Sequence, residues 1–90
     1  MSDFENHLAQ QMKDPEFAAA YDELEAQYAF ARQVIAARLA AGITRTELAQ
    51  RVGTSQANIS KLEHGTLNPS FDMARRVAVG LGKRLNITMQ

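Results

Sequence analysis

Gly53 and Ser55 stand one residue apart, so a helix stop and a helix start nearly coincide. Glycine takes up the left-handed conformation that ends a helix without steric cost. A serine two residues later is a cap, its hydroxyl placed to accept a free amide of a new first turn. The chain is thereby required to fold as two short helices meeting at a tight corner. The first has its own start, because Thr44-Arg45-Thr46-Glu47 reads as a capping box in which Thr44 accepts the Glu47 amide and Glu47 reaches back. This predicts helices over Arg45 to Val52 and Gln56 to Glu63, the second closed by Gly65. Leu48, Val52, Ile59 and Leu62 then fill the wedge between them, and Ala49 must be small where they cross closely.

Outside the corner the signals are also helical. Asp14-Pro15 is a helix start, since proline at the first helical position gives up no needed donor. Phe17, Tyr21, Leu24 and Tyr28 follow at spacings of four, three and four, one face of a helix. That stripe packs on its own domain or docks on another chain. The alanine-rich run Glu25 to Ala41 continues this helix or bends into a second one ending at Gly42. Phe30, Val34 and Ala41, with Ile35 and Leu39, are its expected core face. Pro69-Ser70 opens a further helix from Phe71 to about Leu81, stopped at Gly82. The tail Arg84-Leu85-Asn86-Ile87-Thr88-Met89 alternates polar and apolar, the period of a strand, and needs a partner strand from a dimer mate or another protein. The reading is an all-α bundle of four to five helices. An acidic arm covers 1–28 (helical from about 15), a compact body 29–82, and a short C-terminal β-strand 83–90.

A chain of 90 residues supports one small core. It has no cysteine, hence no disulfide and no thiolate metal site, and neither a basic-then-apolar leader nor a membrane-length apolar run. A cytoplasmic protein without metal, cofactor or membrane partner is expected. Net charge is zero, but its distribution is not even. Up to Tyr28 there are seven acids against Lys13 alone; from Ala29 onward there are nine bases against Glu47, Glu63 and Asp72. A basic body can meet phosphates where an acidic arm cannot, so two surfaces imply two partners. Opposite Ile59 and Leu62, the second corner helix carries Gln56, Ala57, Ser60, Lys61 and His64, a polar and short-armed stripe. Amides can bond adenine edges, lysine can reach guanine, and a small alanine can sit against a thymine methyl. By itself this is equally a solvated face.

The segment TRTELAQRVGTSQANISKLEHG, Thr44 to Gly65, resembles the helix-turn-helix of the Xre/Cro (lambda-repressor-like) family, in the pattern TxxxLAxxxGxSQxxISxxExG. The resemblance covers Ala29 to Gly82 and implies a lambda-repressor-like helix-turn-helix bundle. It further implies base contacts by Gln56, Ala57, Lys61 and Ser60 and phosphate contacts by Arg45, Thr54, Ser55 and His64. Gly53, Ala49 and an Arg38–Glu63 ion pair are then architectural. Arg45 departs from the pattern, for relatives carry a glutamine that bonds both phosphate and recognition helix. Arginine is expected to keep the phosphate and lose that bridge. Thr66 likewise replaces a commonly basic residue.

The stretch DPEFxxxYxxLExxYxxAR, the central motif and the closing GKRLxI are similar to antitoxins of the HigA type. That similarity implies a homodimer on a palindromic double-stranded operator, repression of its own operon, and neutralisation of a RelE-like (HigB-type) ribonuclease toxin. Phe17, Tyr21, Leu24 and Tyr28 would be the toxin anchors and Asp22, Glu23 and Glu25 their rim. The alternative is a free-standing Cro-like repressor whose arm packs on its own body or on its dimer mate. Catalysis is not expected: there is no P-loop, no HExxH, no nucleophile beside a base, and the two histidines lie far apart.

Overall fold

The computed structural model describes residues 9–11 and 13–89. The expected acids Asp3 and Glu5 of the arm lie outside the described residues. Four helices carry the architecture: α1 over Pro15–Ala41, α2 over Arg45–Val52, α3 over Gln56–Glu63 and α4 over Phe71–Gly80. None is long and apolar enough to cross a membrane.

Each helix begins on the residue type that satisfies its free amides. Asp14 accepts the Glu16 amide, Thr44 that of Glu47, Ser55 that of Asn58 and Ser70 that of Met73. The capping box is only half made, because among the described residues the Glu47 carboxylate bonds nothing and Thr44 caps alone. Gly53 sits at φ +80, where a side chain would be strained, and its amide closes α2 on the Ala49 carbonyl.

Helices of eight residues are unstable alone, so α2 and α3 exist because they are packed. Leu48, Ile59 and Val77 are fully enclosed, and Val34, Ile43, Ala49, Val52 and Leu62 complete the core, with Phe30, Leu67, Met73 and Leu81 against it. Burying each large apolar side chain contributes about 1.5 to 3 kcal/mol. The core therefore holds the α2–α3 corner between α1 on one side and α4 on the other.

The arm and the alanine-rich run form one unbroken helix, the first of the two possibilities read from the sequence, with residues 28 and 29 inside α1. Two expectations change. On that helix Val34 is buried, but Leu39 and Ala41 are exposed. Leu39 lies five residues beyond Val34, roughly 140° around the helix, on the opposite face. Ala31, which was not expected in the core, is buried. Finally, no described residue is in a strand, and 84–89 share no backbone hydrogen bond with any other described residue. Among the described residues the tail finds no strand to pair with.

Candidate DNA interface

Helix α3 owes its orientation to a buried anion. The Glu63 carboxylate is fully enclosed and accepts from Arg38 Nε at 2.7 Å, Arg38 Nη2 at 3.2 Å and Arg45 Nε at 2.8 Å. Arg38 uses its remaining nitrogen, Nη1, on the Ile43 carbonyl at 3.1 Å. One guanidinium from α1 and one from the start of α2 thus converge on the last residue of α3. Burial alone would push the Glu63 carboxyl up, but the hydrogen bonds from Arg38 and Arg45, helped by their charges, outweigh it and hold the pKa below its ordinary value.

Arg45 departs from what the sequence implied. Its side chain is not free for phosphate alone; Nε is bound to α3 through Glu63, restoring by a longer route the bridge that a glutamine would make. The side chain remains 40% exposed beside the first turn of α2. Backbone amides at a helix start and a guanidinium held by one nitrogen together favour an anion there.

The expected base-reading residues are brought together. Gln56, Ala57 and Lys61 are exposed on α3, Ser60 is half-buried between them and the core, and Ile59 and Leu62 are buried on the opposite face. The start of α3 is rigid: Ser55 Oγ accepts the Asn58 amide at 3.1 Å, and Thr54 Oγ1 accepts Asn58 Nδ2 at 3.0 Å. Both hydroxyls keep a proton to donate outward. At the other end, His64 Nδ1 donates to the Ser60 carbonyl at 2.6 Å, which ties the ring to α3 and leaves Nε2 unengaged among the described residues. Thr66 donates from both its amide and its hydroxyl to the Lys61 carbonyl, so the residue found in place of a base closes α3 instead.

Other bases of the body are engaged elsewhere. Arg75 and Arg76 both pair with Asp72, and Arg76 also donates to the Val52 carbonyl. Arg51 reaches the Gly80 carbonyl. The cations that remain beside α3 are Lys61 and the half-exposed Arg45.

Of the arm stripe, Phe17 is half-buried and stacks on Tyr21 with ring centroids 6.4 Å apart, while Tyr21, Leu24 and Tyr28 are exposed. Asp22, Glu23 and Glu25 are exposed beside them. Tyr28 is also tied to the body. A Cβ on Gly65 would lie 2.5 Å from its Cδ1, so the ring covers the bare backbone that ends α3, where Gly65 has φ +73. Sequence reasoning missed this contact and the Arg45–Glu63 bond. A glycine after a helix already had an explanation as a stop signal, and nothing marked an aromatic residue lying over it.

Comparison with known proteins fits this geometry. A family profile described as "Helix-turn-helix" matches residues 34–87, from the middle of α1 to the tail. An "Uncharacterized HTH-type transcriptional regulator" of the archaeon Methanothermobacter thermautotrophicus is 45% identical over 42 residues, covering 47% of this chain and 61% of that protein. The chain thus spans less than two thirds of that relative's length. No solved structure gives a significant match. With the profile covering more than half of the sequence and the two-helix corner at its centre, the chain belongs to this helix-turn-helix family.

Proposed function

We propose that this chain is a sequence-specific DNA-binding transcriptional regulator that works as a homodimer in the cytoplasm. The observation that carries the reading is the face of α3, on which Gln56, Ala57 and Lys61 stand exposed behind a core-facing Ile59 and Leu62. One such helix reads too few bases for a usable affinity, which favours two copies on a palindrome with half-sites about 10 base pairs apart. Arg45, Thr54, Ser55 and His64 surround that face as phosphate contacts, and the archaeal relative bears the name of a transcriptional regulator. Selection from random DNA tests this: a palindromic consensus is expected, and recovery of no consensus overturns it.

The arm supports a finer reading as an antitoxin. Its exposed Tyr21, Leu24 and Tyr28, rimmed by Asp22, Glu23 and Glu25, form an apolar stripe bordered by carboxylates, which suits a cationic partner such as a RelE-like ribonuclease. Such a partner would be neutralised by direct binding, and the pair would repress its own operon. The free-standing repressor is favoured by one observation, the seating of Tyr28 on Gly65, which commits part of the stripe to the chain's own body. Co-purification with the product of the neighbouring gene separates the two. Loss of that complex on replacing Tyr21 and Leu24 by serine, with DNA binding retained, supports the antitoxin; absence of any complex from the start leaves the repressor.

A further inference from the structure

We infer that two copies of this chain join through their tails about a two-fold axis at Ile87, with the outer face of α4 packed beside the joint. The inference rests on the homodimer reading above and specifies its surface and register. Two independent observations carry it. On α4, Phe71 and Val79 are 75% and 63% exposed, and eight residues apart they share one face. Leu85 and Ile87 of the tail border the same groove as these two side chains, and Met89 is 97% exposed just beyond. Together these form an apolar strip rimmed by Asp72, Arg75, Lys83 and Arg84, of the kind that marks an interface. Alongside it, residues 84–89 leave their amides and carbonyls without a described backbone partner.

A second copy supplies what the tail lacks, and the alternation of the tail selects the register. Opposite residues of an antiparallel pair share a face of the ribbon, so the sum of their numbers is constant. An odd sum sets Leu85 opposite polar Thr88. Every even sum keeps the apolar side chains on one side, and centring on Ile87 is the one that gives each an apolar partner: Leu85 lies opposite the mate's Met89, Ile87 opposite its own copy, and Asn86 opposite Thr88. Charge agrees with a self-pairing. The two copies of Arg84 then lie six residue steps apart, about 20 Å, well beyond the screening length of about 8 Å in physiological salt. Asp72 and Arg75 on the rim of the groove are already paired with each other at 3.2 Å, so the α4 faces meet without net repulsion there.

The chain has no cysteine, so single cysteines report the register directly. A disulfide needs Cα atoms within about 4.4 to 6.8 Å, which a residue facing its own copy satisfies and a diagonal neighbour at about 7 to 8 Å does not. On mild oxidation of the full chain, Ile87→Cys is expected to become a covalent dimer of twice 10.0 kDa, and Asn86→Cys to remain a single-chain band. In sedimentation the unmodified chain should weigh two copies, and Phe71→Glu with Val79→Glu should weigh one with its helical circular dichroism unchanged. A dimer that fails to cross-link at Ile87→Cys, or cross-links equally at Asn86→Cys, overturns this surface and leaves the homodimer standing. A single-chain mass at every concentration overturns both.

Discussion

Glu63→Gln isolates the buried anion that braces α3. The substitution keeps the shape of the side chain and removes its charge, leaving one oxygen where two had accepted three hydrogen bonds. Arg38 suffers most, because its side chain is only 11% exposed and cannot recover water. Removing one member of such a buried pair costs about 3 to 5 kcal/mol, chiefly as uncompensated charge. Glutamine still offers one acceptor, and Arg45 is exposed enough to be screened, so the lower end, about 3 kcal/mol, is expected. In a domain whose whole stability is on the order of 5 to 13 kcal/mol, that lowers the melting temperature by about 12 to 24 °C. The assay is circular dichroism melting at pH 7, with urea titration as a check. Arg45→Gln, which removes only the exposed member, should cost less than about 1 kcal/mol. The carboxyl is depressed in the fold, so its contribution is full above the ordinary value of 4.5 and disappears as pH falls through the folded value. The gap between wild type and Glu63→Gln should therefore close below that pH. A gap of under about 4 °C at pH 7, or one that persists unchanged in acid, would refute the assignment of Glu63 as the charged brace of α3.

At the DNA face, Lys61→Ala and Gln56→Ala should each weaken specific binding by about 1 to 3 kcal/mol in gel shift while the melting temperature stays put, and Ala57→Gln should change the selected consensus. Arg45→Gln should instead flatten the plot of log Kd against log salt, by about 2 for a homodimer and about 1 for a single chain, with little change in sequence preference. Gly65→Ala places a methyl group 2.5 Å from Tyr28 Cδ1 at a positive φ, so it should be destabilising in thermal melts. Adding Tyr28→Ala should restore the steric part and leave the backbone strain of about 1 to 2 kcal/mol.

The corner and its flanking helices were legible because their signals are local. A cap acts on amides two or three residues away and glycine acts on its own φ, so Thr44, Gly53, Ser55 and Ser70 could be read without knowing the fold. Leu39 misled because hydrophobicity in an alanine-rich helix marks no clear face; only packing against α3 decided that Val34 and Arg38 point inward. The strand in the tail was read from a true period-two alternation, but a strand is defined by a partner, and the described residues offer none.

The candidate site divided along the same line. The exposed stripe of α3 follows from helical periodicity once Ile59 and Leu62 are recognised as core, and so Gln56, Ala57 and Lys61 could be placed in advance. Arg45 could not, since an arginine at the start of a helix has reach enough for solvent, phosphate or a neighbouring helix, and sequence alone does not rank these. What ranks them is the enclosed Glu63 carboxylate, for which one guanidinium leaves bonding capacity unused and a second adds a close, low-dielectric hydrogen bond. The same contact suits Arg45 to the phosphate contact proposed for it. Held by Nε, the guanidinium is pre-oriented with its other nitrogens beside the first turn of α2, and a phosphate arriving there meets a cation that has already lost most of its rotational freedom. The bond between Arg45 and α3 therefore pre-orients the guanidinium for the phosphate contact proposed for it.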